Sequence, residues 1–393
     1  MNFIDCFLES TSSFETPSSY WRWAAYATIA AVLRDNVFYD HGGGKKTYPN
    51  IYVLYLSKSA ENRKGGPFDF VCDLLKSDEI SNTKVIIGRS SIQAILEDLS
   101  QNFGIKKSGI QIKDGSCILL AEELASFFVI DPALIPLITD IWNYREEFPY
   151  TLKSNRIVIK KLCVTFLAAS NEDLLKEVYT KAAVFGGLLG RTMIITPNEV
   201  RSSNSLLDRT KNKYKRGDLL KCLIELKKLA GTMTAVPEAI ELYDSWYDKL
   251  YKSYKNLNDR TGFSQRMHVN VLKIAMCLAA NDRVMLISKH HMEEAIIQVT
   301  SLKSNYSMFM MGSGRSAQAE IGGIFINTLW GTLDKKISRR DILIKHWNDF
   351  SSEELDKLIQ TFEEAGLIRV ISAGNLVTYE MTEKCKEIFL KNV

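Results

Sequence analysis

Apolar residues fall along this chain in two kinds of run. Between about 50 and 200, five short and nearly continuous apolar stretches alternate with segments of helical spacing: 51–56 (IYVLYL), 84–88 (KVIIG), 117–123 (CILLAEE), 162–170 (LCVTFLAAS) and 192–196 (TMIIT). Continuous rather than alternating apolarity predicts strands buried on both faces of a parallel sheet, and the interleaved helices predict an α/β layer. Ahead of the strands, residues 1–46 read as helical, with Ser18 and Ser19 placed to cap the run WRWAAYATIAAVLRD before the glycine-rich turn HGGGKKTYPN. A polar, basic stretch at 200–216 reads as a linker, and periodic apolar faces make 217–312 predominantly helical. The small, flexible GSGRSAQAE then introduces a last unit. It reads as helices at 319–332, 338–346 and 352–365, followed by the strands LIRVIS and LVTYEMT around a turn at Ala373 and Gly374. Three helices followed by a hairpin is the plan of a winged helix. The predicted organisation is therefore a helical segment (1–46), an α/β core (47–216), a helical lid (217–312) and an α+β winged-helix domain (313–393).

Composition adds little to this picture. Hydrophobic residues at 46% and charged ones at 24% are ordinary for a globular chain of 393 residues, which is long enough for two or three domains. Fifty basic residues against 46 acidic leave +4, so any nucleic-acid reading must rest on local patches. Seven widely spaced cysteines without a Cys-x-x-Cys, and five scattered histidines, read as buried thiols rather than a zinc site. The amino terminus lacks the basic and apolar regions of a signal peptide, and no apolar stretch approaches the roughly 20 residues of a spanning helix. The expectation is a soluble, cytoplasmic protein that does not enter membranes.

The candidate chemistry lies at the ends of the apolar strands. The first runs into SKSAENRKGGPFDF, the topology of a P-loop: a strand, a loop whose amides cradle phosphates, and a helix whose N-terminus favours an anion. Ser59, Asn62, Arg63, Lys64, Gly65 and Gly66 would surround the phosphates, with the Lys64 ammonium reaching them. The match to G-x-x-x-x-G-K-[ST] is broken, since Arg63 stands where glycine is usual and Gly65 where the Mg²⁺-binding hydroxyl would be. The strand CILLA ends in Glu122 and Glu123. These suit a pair in which one acid orients the metal and the other positions the attacking water, and they equally suit a strand-to-helix junction favoured by the helix dipole. The strand LCVTFLAAS ends at Asn171, which fits either a γ-phosphate contact or a helix N-cap. Arg191 follows the glycine-rich FGGLLG and precedes a strand, a place for an arginine finger or for an ordinary solvated charge.

With TYPNIYVLYL, the Arg-Lys-Gly end of the loop, LLAEELASFF, the Ser-Asn strand end and GGLLGR in this order, the chain resembles the P-loop ATPases of phages and plasmids that are fused to or encoded beside primases. It also looks like a compact relative of the AAA+ helicases of the MCM type. The segment GFSQRMHVNVLKIAMCLAANDRVMLISKHHMEEAIIQVTSL is similar to the helical lid of such helicases, with Arg266 at the sensor-2 position. The resemblance spans roughly residues 45–310. It implies an AAA+/RecA-like core using ATP and Mg²⁺, a hexameric ring, DNA as partner with a primase or polymerase alongside, and the cytoplasm of a bacterial host as location. Lys64 would contact the β/γ-phosphates, Glu122 orient the metal, Glu123 position water, and Asn171 sense the γ-phosphate. Arg191 and Arg266 would act at the subunit interface. The departures at Gly65 and Gly66 leave open a non-hydrolysing scaffold that recruits a primase, polymerase or initiator through the winged helix.

Two basic clusters suit nucleic acid. Lys153, Arg156, Lys160 and Lys161 lie in FPYTLKSNRIVIKK without an acid between Pro149 and Asn171, and the pattern predicts a hairpin. In the helicases it resembles, such a hairpin grips single-stranded DNA in a central channel; the alternative is a solvated hairpin. Lys335, Lys336, Arg339 and Arg340 form the second cluster. The helix that follows it, SSEELDKLIQTFEEAG, is acidic and unsuited to phosphates, which favours protein contacts at least equally.

Overall fold

The computed structural model describes residues 2–58, 62–80, 83–87, 91–100, 114–125, 128, 131, 133–151, 156–172, 174–175, 187–197, 214–254, 261–310, 317–332, 334–374 and 376–392. The described residues through Leu302 form one compact unit, and those from Lys303 onward a second. The first unit opens with α1 (Phe3–Thr11), α2 (Ser18–Leu33), β1 (Val37–Asp40), β2 (Lys46–Thr47), β3 (Tyr52–Ser57), α3 (Gly66–Leu75), β4 (Lys84–Ile87), α4 (Ile92–Ser100) and β5 (Cys117–Ala121). It continues with α5 (Leu134–Asp140), β6 (Arg145–Thr151), β7 (Arg156–Leu162), β8 (Val164–Asn171) and β9 (Thr192–Ile195). It ends with α6 (Arg216–Lys227), β10 (Gly231–Ala235), α7 (Pro237–Ser253), α8 (Phe263–Asn281), β11 (Leu286–Ile287) and α9 (Lys289–Thr300).

The five apolar runs form one parallel sheet in the order β4-β5-β8-β3-β9, making the unit a mixed α/β structure. Strands β3, β5 and β9 are buried along their whole length, as continuous apolarity requires. The order fixes where a ligand can sit. From β3 the chain jumps outward to β4, then steps back through β5 and β8 and crosses over β3 to β9. Because crossovers are right-handed, the connection leaving β3 and those stepping back lie on opposite faces. A crevice therefore opens at the carboxyl end of β3, the topological switch point where open α/β sheets bind ligands.

Helix α2 has no polar face: thirteen of its side chains are buried, as in a helix enclosed by its own protein. It packs on β3 through stacked Tyr20 and Tyr55 rings 4.2 Å apart. The Tyr20 hydroxyl donates to Leu56 O at 2.9 Å and the Tyr55 hydroxyl to Tyr20 O at 2.7 Å. The first 47 residues also contain two strands that the periodicity did not predict. β1 pairs in parallel with β10, joining Val37 to Gly231, and turns through Gly42, Gly43 and Gly44 into antiparallel β2. With β11 they complete a four-stranded sheet, so the amino-terminal segment and the helical region after 216 share one small sheet.

The second unit contains α10 (Lys303–Met310), α11 (Ala317–Trp330), β12 (Lys336–Ser338), α12 (Arg339–Lys345), α13 (Ser352–Glu364), β13 (Ile368–Ala373), β14 (Leu376–Met381) and α14 (Glu383–Asn392). Its antiparallel sheet runs β12-β14-β13, and its own core gathers Phe325, Leu329, Ile342, Leu355, Ile368 and Tyr379. No described helix in either unit is long and apolar enough to cross a membrane.

Candidate functional site

The carboxyl ends of β3, β5 and β8 bring three sequence-predicted groups to the switch point. Lys64 lies in the turn before α3, half-buried, with Nζ 3.4 Å from the carbonyl of Ser57, the last residue of β3. Burial pushes its pKa down, and the carboxylate of Glu123 partly offsets this. Glu123 follows β5, and its Oε1 is 3.5 Å from the backbone N–H of Asn171 at the end of β8. Fully buried Ser170 accepts the N–H of Ala125 at 3.3 Å, pinning the chain just beyond the glutamates. Asn171 Oδ1 accepts from Leu174 N at 3.5 Å, the geometry of an N-cap.

The described part of the loop, from Asn62 onward, departs from a phosphate-binding loop in its side chains. Arg63 adopts φ 44°, the left-handed region that favours glycine, at the position where glycine is usual. Its guanidinium pairs with Glu15 at 2.5 Å, and its carbonyl accepts the Thr16 hydroxyl at 3.1 Å, so the segment before α2 braces the loop. Two donors expected of such a loop are missing. Gly65 has no hydroxyl, and Pro67 in the first turn of α3 has no N–H. An acid that the sequence reading missed stands nearby. Asp69, in the first turn of α3, is near enough to Glu122 to raise its pKa, with burial the larger cause. A Cβ on Gly65 would lie 3.5 Å from Glu122 Oε2, so this acid borders the turn. The signal was present in the sequence as an acid one helical turn beyond the loop.

Arg191 and Arg266 are brought together, but away from Lys64. Arg191 immediately precedes β9, and Thr192 is in register with Tyr52, so it sits at the amino edge of the sheet. The loop lies at the opposite end of β3, whose six residues span about 20 Å. Arg191 Nη1 donates to Gly187 O at 2.7 Å and its guanidinium lies over the Trp142 ring at 5.5 Å. Burial lowers its pKa, and neighbouring Arg266 lowers it further. Beyond Arg266, Ser288 and His291 form the cap of α9. Ser288 accepts the N–H of His291 at 3.3 Å and donates its own N–H to His291 Nδ1 at 3.1 Å.

The basic clusters are largely engaged within the protein. Strands β6 and β7 do form the hairpin; its tip, with Lys153, and the loop residue Ser59 lie outside the described residues, as does the side chain of Arg156. Register places Glu147 opposite Lys160, and the two pair at 3.2 Å; Lys161 lies 3.8 Å from Asp35. The acid-free window read from the sequence began two residues after Glu147, which is why the pairing was missed. In the second unit, Lys335 Nζ donates to the Trp330 and Thr332 carbonyls, and Lys336 pairs with Glu380 at 2.9 Å. Arg339 is gripped by Asp356 and the Tyr379 hydroxyl. Arg340 is exposed and pairs with no described carboxylate.

The described residues contain no group of three or more metal-ligating side chains, and all seven cysteines are free. Compared with known proteins, the chain matches no family model and no curated protein. Function therefore rests on the geometry alone.

Proposed function

We propose that the chain is a P-loop, AAA+-like ATPase with a carboxy-terminal winged helix, working as a ring oligomer that translocates on DNA. The observation that carries the reading is the convergence of Lys64, Glu123 and Asn171 at the switch point, behind a turn with a left-handed residue ahead of the lysine. In this reading Lys64 meets the β/γ-phosphates of ATP. Burial strips the ammonium of water, so an arriving phosphate replaces hydration that is already lost. Glu123 accepts a hydrogen bond from the attacking water, and Asn171 contacts the γ-phosphate. Glu122 and Asp69 suit Mg²⁺: two carboxylates near each other, one with a raised pKa, are relieved by a divalent cation that takes oxygen ligands. The cation would supply charge neutralisation between the phosphates, with the rest of its shell from nucleotide and water.

The amino-edge position of Arg191 and Arg266 supports a ring. Two adjacent guanidinia repel until an anion arrives, and the phosphates of their own chain lie a sheet length away. A neighbouring subunit would bring such an anion. The missing hydroxyl at Gly65 favours a second reading, the non-hydrolysing scaffold. ATP turnover with and without single-stranded DNA separates the two. We expect turnover that rises with DNA, is lost in Lys64→Ala, and is lost in Glu123→Gln with ATP binding retained. Undetectable turnover of the folded wild-type chain would transfer the assignment to the scaffold, and unchanged turnover in Glu123→Gln would remove Glu123 from the mechanism.

A further inference from the structure

The second unit carries an open groove of about 960 Å³ lined by Arg339, Arg340, Leu343, Ile344, Trp347, Leu376 and Val377. Three of these side chains are far more exposed than their chemistry favours: Trp347 at 74%, Ile344 at 63% and Leu376 at 55%. Scattered exposed apolar residues are ordinary, but three gathered in one trough mark an interaction surface. One wall is α12 with the turn after it; the other is the beginning of β14.

Strand pairing gives that second wall a further property. β12 covers β14 only where Lys336, Ile337 and Ser338 meet Glu380, Tyr379 and Thr378, and the chain then bends at Arg339 into α12. Leu376 and Val377 pair with Ala373 and Ser372 of β13 on one side. On the side facing α12 no described strand continues β12. An extended segment laid there would prolong β12 along β14, its backbone meeting the open edge and alternate side chains entering the trough.

Charge selects among possible occupants. Arg339 on the groove wall is already neutralised by Asp356, whereas Arg340 pairs with no described carboxylate. A single available guanidinium beside four aliphatic side chains and an indole suits one carboxylate among apolar residues. It does not suit a phosphate backbone, which needs several cations, and α13 beside Arg339 carries Glu353, Glu354, Glu363 and Glu364. We propose that the groove between α12 and β14 docks an extended peptide segment of a partner protein, with apolar side chains at alternate positions and an acidic residue opposite Arg340. The proposal does not depend on the nucleotide reading, and Lys64→Ala should leave docking unchanged.

The test uses the full chain to select from short random peptides displayed on phage, with the Ile344→Asp chain for counter-selection. Selected peptides are then measured by fluorescence anisotropy. We expect enriched sequences that alternate apolar residues and include an acid. Their affinity should fall by about tenfold or more in Ile344→Asp and in Trp347→Ala. Arg340→Glu should weaken them and strengthen versions in which lysine replaces the acid. Because Ile344, Trp347 and Arg340 are exposed, these variants are expected to keep the wild-type far-UV circular dichroism. No enrichment over the Ile344→Asp chain, or enrichment of basic sequences, would overturn the proposal. So would binding of oligo-dT that depends on Ile344 and competes with the peptides, which would make this a nucleic-acid surface. Self-association in sedimentation velocity that is abolished by Ile344→Asp would instead assign the groove to a second copy of the chain.

Discussion

Gly65 and Lys273 each put one side chain's chemistry to an experiment. Gly65 has an ordinary φ of −71°, and a Cβ there would meet Glu122 Oε2 at 3.5 Å, a normal contact. Gly65→Ser therefore adds the missing hydroxyl without strain. If the loop holds Mg²⁺-nucleotide, turnover should rise several-fold and saturate at lower Mg²⁺, read by a metal titration of the rate. A loss of turnover would place Gly65 in a close contact with the nucleotide instead. Lys273 on α8 is wholly buried at the other end of the sheet, where Nζ donates to the carbonyl and Oδ1 of Asn50 at 2.6 and 2.8 Å. Trp142 lies beneath it at 4.5 Å, and burial pushes its pKa down to about 7. A folded pKa below the unfolded one means that the unfolded chain holds the extra proton between pH 7 and the ordinary lysine range. Stability should therefore rise with pH there and level off below about pH 7, where both states hold the proton. From pH 7 to 9 the gain is about 2 kcal/mol. Urea unfolding should show it, and Lys273→Met should flatten it; a wild-type chain with no rise would mean the amine keeps its proton.

Elements, rather than single residues, decide how the two guanidinia are presented. Gly190, in the 3-10 turn before β9, packs tightly against the start of α8 and the residues just ahead of it. A Cβ would meet Thr261 O at 2.7 Å, Arg266 Nη1 at 2.8 Å and the Gly262 carbonyl carbon at 3.0 Å. Two of those atoms are backbone, so Gly190→Ala must displace the start of α8 and Arg266 with it. We expect a loss of about 1–3 kcal/mol, seen as a lower urea midpoint with unchanged slope. This level also explains what could be read from the sequence. The five core strands were legible because burial on both faces leaves an unbroken apolar run, and the helices and hairpin of the second unit because 3.6- and 2-residue periods differ plainly. The small sheet was not legible. GTMTA and two-residue strands carry no period, and Val37 finds Gly231 only through the fold. At the site, Lys64, Glu123 and Asn171 were legible as groups ending adjacent buried strands. Asp69 stood in the sequence as an acid one turn beyond the loop, but only the fold set it beside Glu122, and the partners of Lys160 and Arg339 emerged only once register and packing set them opposite Glu147 and Asp356.

At the scale of the whole molecule, the proposed chemistry is divided between chains. Lys64→Ala and Arg191→Ala would each inactivate a pure assembly for a different reason: one lacks the nucleotide contact and the other the group offered to a neighbour. Mixing the two inactive proteins should therefore restore part of the activity, at interfaces where an intact loop faces an intact Arg191. Turnover in the mixture that never exceeds that of either variant alone would mean both residues serve the same chain's site.

In the proposed ring, the amino-edge position of that arginine pair would also govern dose. A lone subunit would bind its nucleotide and stop, so the rate per molecule would collapse on dilution below the assembly threshold, with a lag when concentrated protein is diluted into substrate. In a cell the same arrangement would turn expression level into an on–off threshold.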